Sequence, residues 1–191
     1  MEGSGPSIEP VLDFWFGPQA GASRPEWFQK SERFDAQIRE RFGALHEQAA
    51  AGGLVEWEGA PRSALALLVV LDQFSRNLHR NDARAFAQDA RALRVATAMV
   101  ERGWDRELLP VQRQFVYLPF EHAEDLADQD RAMALFGELV GYPETADLVQ
   151  WAEKHRVIIR RFGRFPHRNA ALGRASTPEE VAFLREPGSG F

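Results

Sequence analysis

The run Ala64-Leu65-Ala66-Leu67-Leu68-Val69-Val70-Leu71 is apolar on every side of a helix, and this limits what the chain can fold into. A helix without a polar stripe has no face suited to water, so other elements have to enclose it. The same segment then turns polar, through Asp72-Gln73-Phe74-Ser75-Arg76-Asn77-Leu78-His79-Arg80. At about 100° per residue, Leu65, Leu68 and Val69 share a face with Asp72, Arg76 and His79. One side of an enclosed helix therefore changes from apolar to polar half-way along. Asp72 and Arg76 are spaced to pair, as are Gln73 and Asn77. Buried charge is costly unless paired. This face is thus either an internal ion pair that sets helix register or the floor of a polar pocket.

Helical punctuation surrounds this rod. Ser7 is placed to cap a helix over Ile8 to Phe16 that Gly17-Pro18 closes. Phe34, Ile38, Phe42, Leu45 and Ala49 form a stripe that stops at Gly52-Gly53. Pro61 begins the enclosed helix, which extends over Ala64 to Leu78. Asp82 suits the N-cap of a helix with Phe86, Ala90, Leu93, Ala96 and Val100 on one side. Leu109 to Asp128 reads as a helix interrupted by Pro119, followed by helices over Asp130 to Leu139 and Pro143 to Phe162. Thr177-Pro178-Glu179-Glu180 combines a capping box with Pro at the first helical position. No segment alternates with period two for long. The expected fold is all-α, an antiparallel array of roughly eight helices. Gly, Pro and Ser cluster only at the ends, which predicts one domain over residues 1–191 with 1–6 and 187–191 flexible.

Two further clusters carry polar chemistry. In Leu118-Pro119-Phe120-Glu121-His122-Ala123-Glu124-Asp125, three carboxylates and a histidine follow a helix-breaking proline. Carboxylates sharing one face raise one another's proton affinity, and a histidine beside them suits acid-base work near neutral pH. The plainer alternative is a solvated acidic face with His122 turned inward. In Arg160-Arg161-Phe162-Gly163-Arg164-Phe165-Pro166-His167-Arg168-Asn169, the helix dipole accounts for Arg160 and Arg161. It does not reach Arg164, His167, Arg168 and Asn169, which suit an anion or a planar group.

Other classes of chemistry are disfavoured. The chain has no cysteine, so disulfides, thiolate metal sites and a cysteine nucleophile are excluded. Its net charge of -5 argues against nucleic acid. The cations are 21 Arg and 2 Lys, a balance suited to bidentate anion recognition but also produced by GC-rich codon usage. No apolar run approaches the ~20 residues of a membrane span, and the opening Met1-Glu2-Gly3-Ser4-Gly5-Pro6 is unlike a secretory signal. A cytoplasmic location is expected. His122, His155 and His167 can converge with Glu121 or Glu124, but neither Glu-x-x-His nor His-Glu-x-x-His spacing occurs, so no metal is expected. No phosphate loop, nucleophile elbow or dinucleotide fingerprint is present, so no cofactor is expected. The five tryptophans read as packing anchors.

Taken together, Leu71-Asp72-Gln73-Phe74-Ser75-Arg76-Asn77, Leu118 to Asp125 and Phe162 to Asn169 with Leu172-Gly173-Arg174 resemble a bacterial family, domain of unknown function 924 (DUF924). Val11-Leu12-Asp13-Phe14-Trp15-Phe16-Gly17 and Ser176-Thr177-Pro178-Glu179-Glu180 resemble its ends. The resemblance implies a TPR-like all-helical fold and no particular activity. Ser75 stands where the family usually has Pro, implying a straighter helix, and Ala123 stands where Ser is usual.

The expectation is a protein that binds a small anionic molecule where the three clusters meet. Asp72, Arg76 and Asn77 form the floor, and Glu121, His122 and Glu124 one wall. Arg164, His167, Arg168 and Asn169 make the anion-binding rim. In a catalytic version, with hydrolysis as the reaction class, Glu121, Glu124, His122 and His167 are the acid-base candidates. The rivals are a TPR-like module that holds a peptide and a purely structural subunit.

Overall fold

Helix caps set most of the boundaries in the computed structural model, which describes residues 5–190. Of the ends expected to be flexible, residues 1–4 and 191 lie outside the described residues. Helix α1, Glu9–Phe16, starts where Ser7 Oγ accepts the Glu9 N–H at 3.4 Å and stops at Gly17, whose φ of 67° suits glycine. Ser31 caps α2, Glu32–Ala50, by accepting the Phe34 N–H at 3.2 Å. Helix α3, Pro61–Leu68, runs on through a π-helical stretch, Val69–Phe74, into a last turn, Ser75–Leu78. Then come α4, Asp89–Glu101, and α5, Pro110–Glu121. Helices α6, Leu126–Gly137, and α7, Leu148–Phe162, precede α8, Pro178–Phe183, which carries the expected capping box. Among the described residues there is no strand, and the fold is all-α.

Successive helices lie against one another from α2 to α7, while α3 also touches α1 and α5. The enclosed position expected for α3 is observed: Ala64 to Ser75 are all buried. Helix α5 is a second enclosed rod, with Val111 to Glu121 buried throughout. Its Gln, Arg and Glu residues hide this in the sequence. An aromatic nest anchors the amino-terminal half. Phe115 of α5 meets Trp27, Phe16 and Trp15 edge-on, with ring centroids 4.9, 5.5 and 5.6 Å apart. Among the described residues, no helix is long and apolar enough to cross a membrane.

The structure corrects several local expectations. Residues 64–78 are not a regular α-helix, because π-helical winding takes over at Val69. Winding of this kind turns less per residue and rotates everything after it. Accordingly His79 leaves the Asp72 face and lies beside His46 of α2, ring centroids 5.4 Å apart and tilted by 52°. Ser75, which stands where the family usually has Pro, donates to the Leu71 carbonyl at 2.6 Å. Asp82 caps only a short 3-10 turn, Ala83–Ala85, and α4 begins later with Ala92, Val95, Ala96 and Met99 inward. The Leu109–Asp128 helix ends at Glu121, because Asp125 accepts the Ala127 and Asp128 N–H groups and starts α6. Pro119 sits inside α5 without ending it. Helix α7 begins at Leu148 rather than Pro143.

The core model is checked by Phe115→Ala. Removing a fully buried ring that three aromatic neighbours surround is expected to cost about 3–5 kcal/mol, read from urea unfolding. A loss below about 1 kcal/mol contradicts this packing.

Candidate functional site

Asp72 is 1% exposed, so its charge depends wholly on the donors around it. Burial by itself raises the carboxyl's proton affinity, but Arg76, His122 and Gln73 outweigh burial and hold it below the ordinary carboxylate range. Gln73 Nε2 donates at 2.6 Å and Arg76 Nη1 at 3.1 Å. His122 Nδ1 lies 2.8 Å from Asp72 Oδ1. An ionised carboxylate only accepts, so Nδ1 carries the proton and Nε2 keeps its lone pair. Burial, then Arg76, pushes the His122 pKa down, while Asp72 opposes them. His122 is therefore a neutral imidazole in a fixed orientation, the arrangement of a general base.

From Arg76 the charges alternate outward. Its Nη1 and Nη2 donate to both oxygens of Asp89 at 2.8 and 3.0 Å, a bidentate pair. Asp89 also accepts from Arg168 Nη1 at 3.3 Å, and Arg168 Nη2 donates to the His122 carbonyl at 3.0 Å. The Arg168 guanidinium lies between the rings of Phe86 and Phe165, each centroid 4.6 Å from Cζ. Stacking on both faces leaves only the guanidinium edge for hydrogen bonds. On that edge Nε is buried without a partner. Burial, followed by the like charge of Arg76, lowers the Arg168 pKa to about 10.

Glu121 and His155 add a second acid-base pair. Glu121 Oε1 lies 3.1 Å from His155 Nδ1, and both side chains are buried. Burial and the nearby Asp72 charge push the Glu121 carboxyl up to about 8, so it holds a proton at neutral pH. Burial pulls His155 down to about 3 and His167 down to about 4, with Arg168 lowering both further. The His122 and His155 rings are 6.3 Å apart, and His155 stands 5.6 Å from Phe165.

The loop after α7 is held in place by Glu124. Its Oε1 accepts the Phe165 N–H at 2.7 Å, and both its oxygens bind Arg174 at 2.6 and 2.9 Å. Arg174 also donates to Asn169 Oδ1 at 2.9 Å and to the Phe165 carbonyl at 3.1 Å. Gly190, near the end of the described residues, lies over His167, where an added Cβ would come 3.7 Å from the histidine's own.

Residues 11–188 match the model of a family described as bacterial protein of unknown function (DUF924). The chain belongs to this family. It is also similar to a solved structure, the protein of unknown function ATU0120 from Agrobacterium tumefaciens. That likeness has a TM-score of 0.83 and 40% identity, and covers 93% of this chain and 96% of the other. No curated protein matches.

In this DUF924 chain the three sequence clusters do meet, but not all of their residues do. Asp72, Arg76, Glu121, His122 and Arg168 gather at the centre, with His167 and Glu124 at its edge. Asn77 instead donates to Asp35 Oδ1 at 2.8 Å, beside Arg80, and ties α3 to α2. Arg164 binds both oxygens of Glu180 at 2.7 and 2.8 Å, and Asn169 donates to Ser176 and Glu180, so these two secure α8. The Gln73–Asn77 pair is not formed, since Gln73 turns to Asp72. Asp125, expected on one face with Glu121 and Glu124, is a helix cap. Sequence reasoning missed Asp89, Phe86 and Arg174. Arg174 stood in the Leu172-Gly173-Arg174 motif and Phe86 in an apolar stripe, but neither pattern placed them at this centre.

The raised pKa of Glu121 gives a signed prediction. The unfolded chain ionises this group near the ordinary value of 4.5, whereas the folded chain does so only near about 8. Its contribution to stability is full at low pH and is lost as pH rises across that window. Glu121→Gln mimics the protonated form, so its Tm relative to the parent should climb between pH 5 and 8.5 by about 5 °C or more and then level off. A pH-independent difference in calorimetry contradicts a protonated Glu121.

Proposed function

We propose that this is a cytoplasmic, TPR-like helical protein that binds a small anionic molecule at the buried centre, where His122 faces the ligand. The observation that carries this reading is the Arg168 guanidinium, stacked between Phe86 and Phe165 with Nε buried and unpartnered. An unsatisfied buried donor costs roughly 1–3 kcal/mol, a cost that a carboxylate or phosphate oxygen lying in the guanidinium plane removes. Arg76 and Asp89 orient the cation, and Asp89 supplies only part of its compensation because it is shared by both arginines.

The same centre has the parts of an acid-base site. His122, oriented by Asp72, offers Nε2 as a base, and Glu121 holds a proton close by. Hydrolysis of an ester or phosphoester is the reaction class that suits a neutral imidazole backed by a carboxylate and an anion-binding arginine.

A second reading, a TPR-like module that holds a peptide, draws on a shallow recess of about 270 Å³ lined by Val157, Ile158, Phe183 and Gly188. The two readings separate experimentally. Inorganic phosphate, small carboxylates and phosphomonoesters are titrated into the full chain and followed by thermal shift and calorimetry. Binding at a hundred times the dissociation constant should raise Tm by roughly 5–10 °C. Arg168→Gln should weaken it by at least about tenfold, since charge-assisted hydrogen bonds are worth ~1.5–3 kcal/mol. Val157→Asp should leave it unchanged. Binding lost in Val157→Asp and kept in Arg168→Gln sinks the anion-site reading.

A further inference from the structure

The central site uses three of the five histidines. The other two, His46 of α2 and His79 at the end of α3, meet on another part of α3. One ring nitrogen of each and a carboxylate oxygen of Glu47 lie within 4.8 Å of one another. His46 is 2% exposed, His79 is half-buried and Glu47 faces solvent, so the cluster runs from the core to the surface.

What distinguishes this cluster from chance is hydrogen bonding. Ser75 Oγ donates its only proton to the Leu71 carbonyl at 2.6 Å. Its contact with His46 Nε2, at 2.8 Å, therefore uses the hydroxyl as acceptor, and Nε2 carries the imidazole proton. This fixes the tautomer and leaves Nδ1 of His46 a bare lone pair. Nδ1 is buried and has no partner, and so is Nε2 of His79. Two unpartnered imidazole nitrogens in one dry corner, next to a carboxylate, are poorly satisfied by the protein alone. A metal-bound histidine characteristically donates its other N–H to an oxygen, which orients the ring and strengthens it as a ligand. Ser75 supplies that oxygen here.

The electrostatics agree with ligation. Burial lowers the pKa of both histidines and Arg84 lowers it further, while Glu47 acts in the opposite direction. His79 additionally lowers His46. Arg84 pairs with Glu47, but both side chains are more than half exposed, so the carboxylate can turn inward at little cost. Ligands on a tetrahedral ion stand about 3.3 Å apart, a closure the long side chain of Glu47 and the terminal position of His79 allow.

We propose that His46 Nδ1, His79 Nε2 and Glu47 form a binding site for a divalent first-row transition metal, with Ser75 as the positioning residue. Two imidazoles and one carboxylate favour zinc, cobalt or ferrous iron over magnesium or calcium, which prefer all-oxygen sites. Three protein ligands leave at least one position open to water.

The test uses tag-free full-length protein, cobalt(II) as a spectroscopic probe and zinc(II) as competitor. The expected result is a visible absorption band saturating at one cobalt per chain, removed by zinc and unaffected by excess magnesium. His79→Ala should abolish the band. Glu47→Gln, at an exposed position that folding does not depend on, should weaken cobalt at least about tenfold. Ser75→Ala should weaken it by about 10–100-fold, the range for losing such a supporting oxygen. Binding that survives both His79→Ala and Glu47→Gln overturns the proposal, as does binding lost in His167→Ala instead. The absence of any band or zinc-induced thermal shift in the parent chain at millimolar metal overturns it as well. None of these outcomes bears on anion binding at Arg168, which shares no residue with this site.

Discussion

An ionised carboxylate enclosed in a helical core has no water to stabilise it, and the arrangement of the central helices follows from how Asp72 meets that need. Its donors come from its own helix, through Gln73 and Arg76, and from the end of α5, through His122. Removing any one leaves a buried charge short of a partner, which is far more costly than the pair is worth in forming. The Asp72–His122 contact thereby ties the two enclosed rods, α3 and α5, in one register. Apolar burial supplies most of the stabilisation, while the charge decides which packing is unique.

Compensation does not stop at Arg76. The sequence of charges runs Asp72, Arg76, Asp89, Arg168, each neutralising the next, and reaches from α3 through the start of α4 to the loop after α7. That loop would otherwise be irregular backbone with unsatisfied groups. Glu124 and Arg174 take up its N–H and carbonyl at Phe165, and the loop in turn presents Arg168 edge-on to the centre. The chain therefore uses its polar residues in two ways. Glu124, Arg164, Asn169 and Arg174 hold the frame, whereas His122, Glu121 and Arg168 carry the groups that remain chemically underused.

None of the five histidines is exposed. Burial is the first cause of every resolved histidine shift and always keeps the ring neutral. The neighbours set which nitrogen keeps its lone pair: Asp72 on Nδ1 leaves it on Nε2 of His122, and Ser75 on Nε2 leaves it on Nδ1 of His46.

The sequence by itself determined the all-α class, the enclosed α3, the Asp72–Arg76 pair, the Gly17 stop of α1 and the capping box of α8. All of these are local: they depend on periodicity, on residues one turn apart or on a cap within three positions. It also showed that the segments bearing Asp72, His122 and Arg168 are unusual, because each puts charge against an apolar pattern. Only the tertiary structure decided which of their residues converge. The π-helical winding after Leu68 rotated His79 away from Asp72 and toward His46, a change of register that no propensity reveals. Asn77, Arg164 and Asn169 found partners on Asp35 and Glu180, and Asp89 and Phe86 entered the centre from a turn that read as regular helix. Long-range pairing depends on where whole helices come to rest, and that is set by the summed burial of many side chains rather than by any residue's neighbours in sequence.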